Sequence, residues 1–141
     1  MLERSGDHDF DYALHEGSPV RVQWHFHGQS ELPVAVQTWE LPPGGFEGMH
    51  AHSENDLALE EIYIVLEGAG RMRVDAETFD LAAGDSVLAR VGTNHDLRNT
   101  GNGPLKMLVI WGKPGEADYS NFGSARLARA ARANTVPPTQ D

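Results

Sequence analysis

The chain contains no cysteine. Disulfides, thiolate metal sites, iron–sulfur clusters and cysteine nucleophiles are thereby excluded, and nothing points to an oxidising compartment. Positive charge is scarce as well: 11 Lys and Arg stand against 21 Asp and Glu, for a formal net charge of −10. Phosphate backbones and anionic bilayers call for clustered cations, so neither nucleic acid nor a membrane is expected as a main partner. No apolar run approaches the ~20 residues of a membrane span. The opening residues Met1–Asp7 are charged and polar rather than signal-like, so a cytoplasmic location is expected. A length of 141 residues suits one domain. Against these absences stand seven histidines.

Residues 2–18 are acidic and sparsely apolar (Phe10, Tyr12, Leu14). They read as an arm, either loosely held or packed as an edge element on a neighbouring chain. A period of two then sets in. Over Val20–His27 the apolar Val20, Val22, Trp24 and Phe26 share one face, and Arg21, Gln23, His25 and His27 share the other. That is the pattern of a half-buried strand. Further short strands are expected at 34–41, 49–52, 61–67, 70–74, 78–81, 86–91, 95–99 and 105–111, separated by glycine-rich turns such as Pro42-Pro43-Gly44-Gly45 and Gly92-Thr93-Asn94. Such a succession, without helices between, implies an all-β antiparallel sandwich or barrel. The one helical stretch is 124–134, alanine-rich, with Arg126, Arg129 and Arg132 on a solvated face and Ser124 or Asn121 as candidate caps. Residues 136–141 are expected to fray. The organisation is thus an arm (1–18), a barrel (19–115) and a C-terminal segment (116–141).

His50 and His52 are one residue apart, so on a strand both rings point to the same side. Period two groups Glu61, Tyr63 and Val65 on one face, and His95 follows the turn at 92–94. Three imidazoles and a carboxylate converging inside a barrel suit a borderline divalent metal: imidazole favours Zn, Fe, Ni or Cu, and a carboxylate also accommodates Mn. A solvated strand face would carry a His-x-His pair equally well, and Glu61 alone would pass for an exposed edge charge. The glycines around them weigh between these readings.

Gly44 is followed after five residues by His50-Ala51-His52, then by Glu61 and, after six residues, by Gly68. Gly84 is followed after five residues by Arg90, then by His95 and Asn99. The two blocks, 44–68 and 84–99, resemble the two motifs of the cupin superfamily in its small single-domain, type-2-like form. The resemblance spans about residues 34–112. It implies a jelly-roll, or double-stranded β-helix, barrel with a metal near one mouth. It also implies His50, His52, Glu61 and His95 as ligands of one divalent transition metal, whether Fe, Mn, Ni, Zn or Co. Three departures stand out. Eight residues separate His52 from Glu61 where the family usually has three or four, so Glu60 or Glu54 competes for the carboxylate role. Glu61 is preferred because its step to Gly68 keeps the register. Arg90 and Asn94 stand where prolines are common.

Four protein ligands on a six-coordinate ion leave two positions open, a catalytic rather than a closed arrangement. The expected function is a metal-dependent enzyme of dioxygenase or oxidoreductase type acting on a small chelating substrate. A metal-dependent lyase or isomerase, or a non-catalytic binding or sensing barrel, is the alternative. Tyr63 is a weak catalytic candidate, since core packing with a satisfied hydroxyl suits its inward phase better. Met49, Met72, Met107 and Trp39 read as core or cavity wall. Arg71 and Arg73 read as a surface pair or a grip on an anionic substrate, and Asn99 as a bond to turn backbone. His25 and His27 are expected to be exposed or subunit-facing, while His8 and His15 have no visible partners in sequence. A homodimer through N-terminal edge strands, with Val20–His27 and its preceding arm as the contact, is expected because pairing covers a bare edge.

Overall fold

The computed structural model describes residues 1–52 and 58–134. The chain runs β1 (Phe10–Ala13), β2 (Pro19–Trp24), β3 (Ala35–Leu41), β4 (Glu60–Glu67), β5 (Ala69–Val74), β6 (Glu77–Ala82), β7 (Ser86–Ala89), β8 (His95–Asn99), β9 (Leu105–Gly112) and α1 (Gly123–Ala133). A six-stranded sheet has the order β1-β2-β3-β9-β4-β7, and a three-stranded sheet the order β6-β5-β8. Bridges Phe46–Arg98 and His50–His95 lay the segment 46–50 along the free side of β8. The two sheets are the walls of a jelly-roll barrel, packed around one core.

Alternation decides what that core holds. In β3 the inward residues are Ala35, Gln37, Trp39 and Leu41; in β9 they are Leu105, Met107 and Val109; in β4 they are Glu61, Tyr63 and Val65. Register then assembles rows across the sheet. Trp39, Met107 and Val65 lie side by side, as do Gln37, Val109 and Tyr63, and then Ala35, Trp111 and Glu61. In the other sheet Met72 faces Leu97 and Val74 faces His95. Each fully buried apolar side chain contributes about 1.5–3 kcal/mol. The apolar rows therefore stabilise the barrel, while the row at one mouth carries Glu61 and His95 instead.

Several expectations are corrected. The strand begun at Val20 ends at Trp24, because the chain turns over 25–29 with Phe26 at φ +51°. Of 49–52 only His50 joins a ladder, and β7 stops at Ala89 because the Arg90 carbonyl accepts from Thr93 N (3.1 Å) and Thr93 Oγ1 (2.7 Å) in the next turn. The polar face of β2 is not bare: Gln23 is buried, donating to Arg4 O (2.9 Å) and accepting from Gly6 N (2.9 Å). The Glu3 carboxylate accepts from Phe26 N, His25 Nε2 lies 2.6 Å from Thr38 Oγ1, and His27 packs edge-on against Trp24. The arm is therefore held by its own chain. β1 pairs with β2 from Phe10–Val22 to Ala13–Pro19, so the arm itself, through β1, forms the edge of the sheet on that side.

Trp39, Met72 and Met107 are core, but Met49 is 44% exposed beside Arg71, Arg73 and Arg98. Asn99 does bond turn backbone, donating to Leu41 O and Gly103 O and accepting from Gly101 N. Phe122 caps α1 without a side-chain bond, so neither Ser124 nor Asn121 serves, and no residue of the helix is buried. The excess residues around Glu54 and the tail 136–141 lie outside the described residues. Among the described residues no helix is long and apolar enough to cross a membrane.

Candidate metal centre

The structure brings His50, His52, Glu61 and His95 together: one donor atom from each lies within 4.8 Å of all the others. Two come from opposing walls, Glu61 from β4 and His95 from β8, both on inward phases. His50 is fixed against His95 by the backbone, with His50 N donating to His95 O (3.1 Å) and His95 N to His50 O (2.8 Å). This is the hydrogen-bonded pair of an antiparallel ladder, which sets the two rings side by side with centroids 4.1 Å apart. His52 is steadied by its carbonyl, which accepts from Gly92 N at 2.8 Å. Glu60 pairs with Gly112 on the opposite phase and lies outside the cluster.

The donor chemistry fits a cation. His95 Nδ1 lies 3.0 Å from Thr93 O, and its Nε2 lies 3.1 Å from Glu61 Oε2. Both ring nitrogens thus face acceptors, whereas a neutral imidazole carries one N–H. His50 repeats the arrangement: Nδ1 lies 2.8 Å from Gly48 O, and Nε2, without a hydrogen bond among the described residues, lies 3.5 Å from Glu47 Oε1. A carbonyl on Nδ1 fixes the tautomer and leaves the Nε2 lone pair directed at the cluster, as metal-binding histidines require. His52 Nε2 lies 3.0 Å from Glu61 Oε1. A divalent ion among three imidazole nitrogens and one carboxylate satisfies all of these contacts at once.

Protonation states agree. Burial lowers the His50 pKa to about 4, so the ring is neutral at pH 7. Burial opposes ionisation of Glu61, but hydrogen bonds from His52, His95 and Tyr63 outweigh it and hold the carboxyl well below its ordinary range. For His50 the unfolded chain binds a proton below pH 6.5 that the folded chain refuses until about pH 4. Stability from this group is therefore present above pH 6.5 and is lost as pH falls toward 4. Because the raised Glu47 carboxyl works in the opposite sense over the same range, the His50 contribution is read by difference. Between pH 7 and pH 5 the metal-free wild type is expected to lose about 2 kcal/mol relative to a His50→Gln variant in denaturant titration. An equal change with pH in the two proteins would contradict the assignment.

Sequence reasoning missed two neighbours of the cluster. Glu47 is fully buried, and its Oε1 accepts from the Tyr63 hydroxyl at 2.8 Å. Burial and the nearby Glu61 charge push its carboxyl up. The Tyr63 hydroxyl also bonds Glu61, and its ring sits between Trp39 and His95. Burial, then the Glu47 and Glu61 charges, raise the phenol. Tyr63 is thus a positioning group between two glutamates. The second neighbour is His15, whose ring stacks on His50 with centroids 3.5 Å apart and planes 12° off parallel. No local periodicity marks either residue. Glu47 precedes Gly48, whose φ of +105° breaks strand alternation, and His15 arrives from the arm at φ +38°.

Fold and cluster together define a small β-barrel protein with a histidine–glutamate cluster at its mouth that could hold a metal. The chain belongs to the cupin family: the Cupin domain family matches residues 37–111, just over half of the sequence. It is 33% identical over 97 residues to an uncharacterised protein of Methanocaldococcus jannaschii, covering 69% of this chain and 74% of that one. It is 31% identical over 98 residues to Auxin-binding protein 1 of Arabidopsis thaliana, covering 62% of this chain but 46% of the plant protein. Among solved structures, a predicted oxalate decarboxylase of Thermotoga maritima superposes with a TM-score of 0.70 at 24% identity, over 81% of this chain and all of that one.

Proposed function

We propose that this cupin is a metal-dependent enzyme of dioxygenase or oxidoreductase type that acts on a small chelating substrate. The observation that supports this most is the donor arrangement at the mouth: His50 and His95 each present both ring nitrogens to acceptor oxygens, around an ionised Glu61. His50, His52, Glu61 and His95 would hold the ion. A bound divalent ion supplies Lewis acidity and, where redox-active, electron transfer to dioxygen. The chain's own part is to keep the His50 ring neutral, the carboxylate charged and the site anchored by backbone bonds on both walls. Tyr63 holds Glu61 in place from below.

Elemental analysis of natively purified protein, followed by oxygen-electrode screening against small chelating acids and phenols, tests the reading. One equivalent of iron or manganese and oxygen uptake with a substrate of this kind is expected. Turnover without oxygen and with zinc would replace it by a lyase or isomerase. The similarity to Auxin-binding protein 1, whose name records binding, favours a second reading: a small-molecule binding barrel without turnover. A ligand retained through purification and recovered unchanged, with no oxygen consumed, would establish that one.

A further inference from the structure

Glu47 is a buried carboxylate that the four-residue site does not use. It is fully buried, and its Oε2 has no hydrogen-bond partner among the described residues. Its Oε1 shares the Tyr63 hydroxyl with Glu61. A phenol has one proton to donate, so when both groups are ionised that single hydrogen cannot serve two carboxylates. Buried carboxylates short of donors are costly and are normally compensated by a partner of opposite charge.

Its position is held firmly. Glu47 N donates to Leu97 O at 2.9 Å, and Gly48 N donates to the Asp96 carboxylate at 2.9 Å. On the other side the arm lies directly on this backbone: a Cβ on Gly17 would overlap the Glu47 carbonyl, and one on Gly48 would overlap the His15 carbonyl. Thus clamped, Glu47 Oε1 lies 3.5 Å from His50 Nε2, and donor atoms of His15, Glu47 and His50 lie within 4.8 Å of one another. Donors about 2.1 Å from one ion are roughly 3.0 Å apart when adjacent and roughly 4.2 Å apart when opposite. The spacing between Glu47 and His50 falls in that interval, while Glu47 stands outside the group of mutually close donors formed by His50, His52, Glu61 and His95, so ligation requires the Glu47 side chain to turn further into the mouth. The stacked His15 ring is not a ligand in this pose, because an ion in the plane of His50 would lie far out of the His15 plane.

We infer that Glu47 is a fifth protein ligand, adding a second carboxylate to the three histidines and Glu61. Two carboxylates balance a divalent cation, so the buried centre is neutral rather than singly positive. The inference rests on the metal-centre reading and narrows it. One of six positions would then remain open to a substrate.

Manganese affinity, measured by competition with a chelator, and the visible spectrum of the cobalt-loaded protein test this in wild type, Glu47→Gln and Tyr63→Phe. Glu47→Gln is expected to weaken manganese binding about 100-fold and to change the cobalt spectrum. Tyr63→Phe keeps the carboxylate and is expected to weaken binding less and to leave the spectrum unchanged. Equal affinity and equal spectra for wild type and Glu47→Gln would overturn the inference while leaving the four-ligand site intact. Equal losses in the two variants, with an unchanged spectrum, would overturn it by making Glu47 a support for Glu61 acting through Tyr63. If Glu47→Gln fails to fold, a crystal structure of manganese-loaded wild type decides: a Glu47 oxygen at about 2.0–2.2 Å from the ion supports ligation, and one beyond roughly 3 Å overturns it. Wild type that takes up no metal would instead bring down the metal-centre reading itself.

Discussion

Glu61→Gln is expected to lose at least about 100-fold in divalent-metal affinity, more than the loss typical of groups that merely support a ligand. The protein should emerge from desalting nearly metal-free where wild type retains one equivalent. Glu61 is the contact shared by two of the three imidazoles, His52 at 3.0 Å and His95 at 3.1 Å, and it is the ionised carboxylate of the four. An amide in its place removes the charge that balances a cation in a buried site. Glu60→Gln is the control. Glu60 sits one residue away on the opposite phase, paired with Gly112, and its loss should leave metal content unchanged. Metal retained by Glu61→Gln and lost by Glu60→Gln would reverse the assignment of the carboxylate.

That pair of variants also marks how far the sequence reaches. The choice of Glu61 over Glu60 rests on the step to Gly68, and strand phase gives the same answer, because Glu61, Tyr63 and Val65 are buried together. Trp39, Met72 and Met107, read by their apolar character as core or cavity wall, are core. Where the chain leaves extended geometry, phase fails. Phe26 at φ +51° ends the alternation begun at Val20, and Met49, read as core or cavity wall, is not core but lies partly exposed along a surface pocket with Arg71 and Arg73.

The second large effect is expected at Gly48→Ala. Gly48 has φ +105°, and a methyl there overlaps the His15 carbonyl oxygen, a backbone atom held by the arm. Backbone strain of about 1–2 kcal/mol adds to the overlap. A total loss of about 3–5 kcal/mol is expected, read as a fall in Tm of roughly 10–17 °C. Gly84→Ala separates the two causes: φ is +92° there, yet nothing lies within 4 Å of the added carbon, so only the backbone strain should appear. Equal Tm values for the two variants would show that the arm does not press on Gly48.

By itself the sequence determined the strands, the inward face of most of them and the histidines and glutamate that gather at one mouth. These follow from period-two alternation and from short-range spacing, which local chemistry writes into the chain. Only the tertiary structure decided that residues 3–18 fold back on their own barrel, that His15 stacks on His50 and that Glu47 is buried against Tyr63. Those contacts join segments far apart in the chain and turn on left-handed backbone at His15 and Gly48 and on close approach at Gly17 and Gly48. Hydrophobic pattern carries no trace of where two backbones will touch. The missing cysteines say only that the site is built from nitrogen and oxygen; which oxygens come within reach of the histidines is a property of the fold.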